Sequence, residues 1–152
     1  MKRILVVVAV IVTILVGVLS FVPTQAHAAA SRPMYGCSGH GCDGQYASQT
    51  GCTYFAKDVT NVDVYDGALY LGTAQLFYSS GCGTNWTHIV NPRGYRSVGF
   101  VTLCSGTGLQ ELTNSSATSY DTPMVYAPTT PARATGEFID VNGPHYGVTA
   151  CF

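Results

Sequence analysis

The sequence predicts an all-β fold, a small disulfide-stapled antiparallel β-sandwich or barrel, and three observations carry that expectation. Beyond the N-terminal apolar stretch no helical periodicity appears. Glu111, Glu137 and Lys57 are the only glutamates and lysine there, too few for salt-bridged surface helices. Short β-branched and aromatic runs alternate with turn signals about every ten residues, the spacing of a sandwich or barrel. All six cysteines follow the apolar stretch, in a chain of only 152 residues.

Lys2 and Arg3 precede an almost unbroken apolar run, Ile4 to Val22, which Pro23 interrupts. Ala26-His27-Ala28 then fits the small-x-small cleavage rule, so residues 1–28 read as a secretory signal peptide. An uncleaved anchor is the competing reading, because a run of that length could just span a bilayer. The alanine-rich site at the expected distance favours cleavage. Residues 29–152 are then a single secreted β domain, extracellular or held at the cell envelope, with no membrane contact after cleavage. Five basic residues (Arg32, Lys57, Arg93, Arg96 and Arg133) remain beside eight acidic ones. That balance excludes the basic footprint of a nucleic-acid partner and the polybasic segment of a membrane-surface protein.

After a glycine-rich segment from Tyr35 to Thr50, residues 53–65 carry Val59, Val62 and Val64 and read as a first strand. Asp66-Gly67 is a tight-hairpin dipeptide, because glycine accepts positive φ without penalty. Residues 68–79, ALYLGTAQLFYS, form the next strand, with Gly72 marking a bulge or a second turn. Trp86 to Val90 follow as a short strand and Asn91-Pro92-Arg93-Gly94 as a turn. From Tyr95 to Leu103, Val98, Phe100 and Thr102 alternate with Gly99, Val101 and Leu103, a strand pattern. Residues 105–119 are small, polar and aperiodic, and are expected to be a surface loop. Met124 to Ala127, Glu137 to Val141 and Tyr146 to Phe152 complete the strands, separated by the 128–131 loop and the Asn142-Gly143 turn.

Cys37, Cys42, Cys52, Cys82, Cys104 and Cys151 form an even set in a small exported chain, which reads as a disulfide framework. Zinc is the competing reading, since CSGHGC places His40 between Cys37 and Cys42 with Cys52 nearby. Structural zinc sites generally show two tight ligand pairs, and the second is missing here. The count allows many pairings and does not choose among them. Spacing favours Cys104–Cys151, which each close a predicted strand and both lie in the C-terminal half, with Cys52–Cys82 and Cys37–Cys42 for the rest.

Three stretches together, CSGHGCDG from Cys37 to Gly44, Gly51-Cys52, and LFYSSGCGTNW from Leu76 to Trp86, resemble the bacterial domain-of-unknown-function family numbered 2690, of YjfA-like secreted proteins. PMVYAPTTPARATG, residues 123–136, is similar to that family's C-terminal half. The resemblance covers nearly all of residues 29–152 and implies an exported protein or extracytoplasmic domain without an assigned activity. Many members carry an arginine before the Tyr-Ser pair, where this chain has Phe77. The first four cysteines match the family pattern, whereas Cys104 and Cys151 look like additions.

His40, His88 and His145 are the histidines after the leader. His88 lies two residues beyond Trp86, so on a strand both point to one face. Such a histidine could donate a proton in a polar cleft; a half-exposed sheet residue is the plainer reading. No G-x-S-x-G, H-E-x-x-H or P-loop motif occurs, and Ser79 and Ser80 suit a turn. The sparse carboxylates offer no facing pair for glycoside hydrolysis, and Asp43 is expected to close a turn through its side-chain oxygens. No catalytic residue, metal ligand or cofactor is therefore assigned. Ten tyrosines, five phenylalanines and Trp86 in residues 29–152 suit contact surfaces on a rigid scaffold. The expected function is a non-catalytic extracellular or cell-envelope binding module for a cell-wall glycan or an exported protein. Tyr78, Trp86 and His88 are its candidate binding residues. The alternatives are a secreted hydrolase or lysin using His88 with a neighbouring acid, and a secreted inhibitor or toxin presenting residues 105–119.

Overall fold

The computed structural model describes residues 36–114 and 117–152, with side chains except at 111–114. The expected leader, residues 1–28, lies outside them. The first elements among the described residues are a 3-10 turn at Gly39–Cys42, a one-turn helix α1 (Ala47–Thr50) and a second 3-10 turn at Cys52–Phe55. Gly51, at φ 77°, ends α1 and starts that second turn, a left-handed position that only glycine occupies cheaply.

The strands among the described residues form two antiparallel sheets. The first is ordered β1 (Ala56–Asp66), β2 (Leu69–Ser79), β3 (Thr84–Val90) and β6 (Ser119–Asp121), with β7 (Val125–Tyr126) also paired to β3. The second is ordered β5 (Leu109–Asn114), β4 (Arg96–Leu103), β8 (Ala132–Asp140) and β9 (Gly143–Val148). Neither sheet closes on itself, so the fold is a two-layer sandwich and the barrel alternative drops out.

Asp66-Gly67 turns β1 into β2, with Gly67 at φ 56°. The register slips twice in this hairpin. Val59 is an extra residue between Asp58↔Phe77 and Thr60↔Leu76. Near the turn Val64 faces Gly72 and Tyr65 faces Tyr70, leaving Leu71 as a second extra residue. The bulge at Leu71 lets two consecutive positions, Leu71 and Gly72, both turn inward. A Cβ on Gly72 would sit 2.3 Å from Cε1 of Phe138 and 2.4 Å from the Val90 carbonyl oxygen. On the facing sheet, Gly99, Gly136 and Gly147 are successive cross-strand partners on β4, β8 and β9. Added Cβ atoms there would meet Ile89 at 2.9 Å, Ala74 at 3.0 Å and Val64 at 2.6 Å. The sheets thus close over a row of glycines, with Leu71, Leu76, Ile89, Val101 and Phe138 filling the core around it.

A second, smaller core lies on the outer face of the first sheet. There Cys42, Ala47, Cys52, Cys82 and Met124 pack with Trp86, so the cysteine-rich segment covers a sheet face that would otherwise be wet. Polar side chains complete the frame. Asn91 is fully buried and holds the β3–β4 turn by donating to the Tyr95 carbonyl at 2.6 Å and accepting from its amide at 3.2 Å. The Tyr120 hydroxyl donates to Ser97 at 3.0 Å, tying β6 to the facing sheet. Burial pushes its phenol pKa up, and the Ser97 hydrogen bond partly opposes that.

Several strands depart from the expected pattern. Residues 53–55 belong to a 3-10 turn, so β1 starts only at Ala56. β9 runs Gly143–Val148 rather than Tyr146 to Phe152, because its ladder with β8 ends at Val148. β6 forms where no strand was expected. Leu109–Asn114, within the expected 105–119 loop, pairs with β4 from Thr102↔Leu109 to Ser97↔Asn114. An edge strand of this kind is specified by its neighbour rather than by its own alternation. β8 begins at Ala132, five residues before the expected start. Ala132, Ala134 and Gly136 carry no strand signal because they are small, and small is what the gap between the sheets demands.

Gly72→Ala is expected to lower the unfolding free energy by about 1–3 kcal/mol, since its nearest obstacle includes backbone that cannot rotate away. Phe138→Ala should lose about 3–5 kcal/mol. Denaturant titration measures both, and a Gly72→Ala protein as stable as the parent would contradict the close approach.

Candidate functional site

The β2–β3 hairpin carries all three candidate binding residues, and strand alternation divides them. Phe77 faces Trp86 across the hairpin and Tyr78 faces Asn85, so Tyr78 points to the opposite side of the sheet from Trp86 and His88. The Trp86 indole stacks on Phe77 with ring centroids 5.6 Å apart and is only 3% exposed beneath the cysteine-rich segment. It is a core residue in this structure, out of reach of a surface ligand. Gly83, at φ 67°, turns the hairpin, and its amide donates to the Ser79 carbonyl at 2.8 Å.

Tyr78 opens onto a groove of about 300 Å³ at one end of the sandwich. Its floor is a row of cross-strand partners, Lys57, Tyr78 and Asn85, on three neighbouring strands. Its walls are residues 127–131, with Pro128 and Pro131, and the C-terminal Phe152. Asn85 donates to the Ala127 carbonyl at 3.3 Å, fixing the first wall. The second is held by paired backbone hydrogen bonds between Phe152 and Ala132, 2.9 and 3.0 Å, and by the Cys104–Cys151 disulfide. No sequence motif marked this groove, because its parts are spread along the chain from Lys57 to Phe152. Lys57 makes no ion pair among the described residues.

His88 stands on the outer face, half-buried. Its Nδ1 donates to the Asp121 carboxylate at 2.7 Å, and in the neutral ring that bond leaves Nε2 to accept from the Ser119 hydroxyl at 3.2 Å. Ser119 and Asp121 are alternate residues of β6, so one edge strand supplies both partners. The sequence reading left the acid beside His88 unnamed, because only the β3–β6 pairing brings Asp121 to it.

The three disulfides join Cys37 to Cys42, Cys52 to Cys82 and Cys104 to Cys151, the pairing favoured by spacing. The first two lie side by side, with all four sulfurs within 4.8 Å of one another. Asp43 closes the first loop with both oxygens, one accepting from the Tyr126 amide and the other 2.8 Å from His40 Nδ1. A separate group, Asp66, Asp140 and His145, converges where two hairpins meet. Its oxygens already accept hydrogen bonds from the Asn142 side chain at 2.6 Å and the Asn142 amide at 2.8 Å, a structural use of those carboxylates. Among the described residues no helix is long and apolar enough to cross a membrane.

A family model described as "Protein of unknown function (DUF2690)" matches residues 40–135, and the chain belongs to that family. No curated protein and no solved structure matches it.

Trp86→Ala should destabilise the protein by about 3–5 kcal/mol in denaturant titration, as expected of a buried ring. Replacing Cys104 and Cys151 together by serine should cost up to about 4 kcal/mol. It should also free the groove's C-terminal wall, read as faster hydrogen exchange at the Phe152 amide, which is bonded to the Ala132 carbonyl.

Proposed function

We propose that this member of the DUF2690 family is an exported extracellular domain that binds a cell-wall glycan in the groove over Tyr78. The observation that carries the reading is the groove itself, which sets the Tyr78 and Phe152 rings and two prolines around Lys57 and Asn85. Aromatic faces suit the apolar side of a sugar ring, and a few polar groups fix its orientation. The Lys57 ammonium favours a glycan that carries a carboxylate or phosphate. The groove's volume falls at the low end of small-ligand sites, enough for one or two sugar units. Secretion in this reading rests on the leader-like pattern of residues 1–28 and on the three disulfides, which suit an oxidising compartment.

A second reading, a secreted hydrolase, is favoured by one observation. Ser119, His88 and Asp121 are joined in the order of a serine nucleophile, its base and the carboxylate that orients the base. No observation favours the inhibitor or toxin reading, since residues 109–114 of its proposed loop are a paired strand.

Calorimetric titration with soluble anionic wall-glycan fragments tests the first reading. Lys57→Ala and Tyr78→Ala should each weaken binding by about tenfold or more, roughly 1.4 kcal/mol, with melting unchanged for Lys57→Ala. Binding that is absent, or indifferent to both substitutions, overturns it. For the second, the parent should react with a fluorophosphonate and cleave an activated ester, and Ser119→Ala should do neither. A parent inert to both reagents removes the hydrolase reading.

A further inference from the structure

The corner where the cysteine-rich segment meets the β2–β3 hairpin concentrates four sulfurs in a small volume. Cys37–Cys42 and Cys52–Cys82 are neighbouring bridges, and Cys37 Sγ lies 3.8 Å from Cys52 Sγ of the other one. A tetrahedral zinc site with bonds of about 2.3 Å to sulfur has sulfur–sulfur edges of about 3.8 Å. All four sulfurs lie within 4.8 Å of one another. Once both bridges are reduced, side-chain rotations that part each formerly bonded pair to a tetrahedral edge would complete the site. Cys42, Cys52 and Cys82 are buried and Cys37 is half-buried, which excludes competing water from most of the site. The buried Thr50 hydroxyl donates to Cys52 Sγ at 3.1 Å, the outer-shell contact that steadies a thiolate ligand. An opening lined by Cys37, Gly39, Gly81, Cys82 and Tyr126 reaches the sulfurs from solvent.

We propose that Cys37, Cys42, Cys52 and Cys82 form a zinc site when their two bridges are reduced, so that one corner of the fold has two alternative clamps. A dithiol reductant delivers two electrons and two protons to each bridge and is itself oxidised to a disulfide. Zinc then displaces the four thiol protons and is held by four thiolates. The set differs from the sequence-level zinc pattern: Cys82 supplies the fourth ligand in place of His40, whose Nδ1 is turned to Asp43. Because Cys82 belongs to the hairpin and the other three to the preceding segment, the metal would perform the task of the Cys52–Cys82 bridge. It would do so in the reduced state a chain has in a reducing compartment.

The test uses the purified protein with Cys104→Ser and Cys151→Ser, which leaves these four cysteines alone, beside the six-cysteine parent as a check on folding. After anaerobic reduction with a phosphine, cobalt(II) should give the visible bands and sulfur charge transfer of a tetrahedral thiolate site at one equivalent. Zinc should displace it one for one and restore the near-UV circular dichroism of the oxidised form. The oxidised protein should bind neither metal. Cys82→Ser should weaken zinc binding at least about tenfold. A reduced parent and variant that both fail to give the tetrahedral cobalt spectrum overturn the proposal. So does a Cys82→Ser protein that binds zinc as tightly as its background.

Discussion

The two sheets approach each other closely enough that part of the gap between them has no room for a β-carbon. Gly99, Gly136 and Gly147 form one continuous row across β4, β8 and β9. Ile89, Ala74 and Val64 of the first sheet press into it, and Gly72 yields in return to the Phe138 ring. Close packing of this kind holds through dispersion contacts that a small void would forfeit. The Leu71 bulge, the small residues that open β8 and the tight β1–β2 hairpin are all consistent with that one separation.

The first sheet has no wet face over its middle. Its inner side meets the glycine row, and its outer side is covered by a cysteine-rich segment too short to hold itself by helix alone, α1 having only four residues. Covalent bonds and Trp86 take over that work. Cys52–Cys82 ties the segment to the β2–β3 turn, Cys37–Cys42 closes its first loop, and the indole fills the space beneath them.

The same division of faces sorts the functional candidates. The outer face beyond the covered region presents the His88–Asp121–Ser119 chain, and the inner face, where it emerges at the end of the sandwich, presents Tyr78. One hairpin therefore serves two separate surfaces. The groove over Tyr78 depends on the third disulfide for its C-terminal wall, so Cys104 and Cys151 shape the surface that the inner face presents there.

What the amino-acid sequence determined by itself was local. Asp66-Gly67 and Asn142-Gly143 marked turns because glycine alone takes positive φ cheaply, and both glycines do so, at 56° and 120°. Alternation found β1 to β4, and cysteine spacing favoured the pairing that the structure has. Only the tertiary structure decided matters that depend on which strands become neighbours. β5 exists because β4 offers it an edge, and Asp121 and Ser119 reach His88 because β6 adds to β3. The sheet order separated Tyr78 from Trp86, and the folding of the cysteine-rich segment over the hairpin gathered four sulfurs from positions 37 to 82. A period-two pattern fixes which residues share a face, but not which face is covered, and long-range pairing leaves no mark within a single strand.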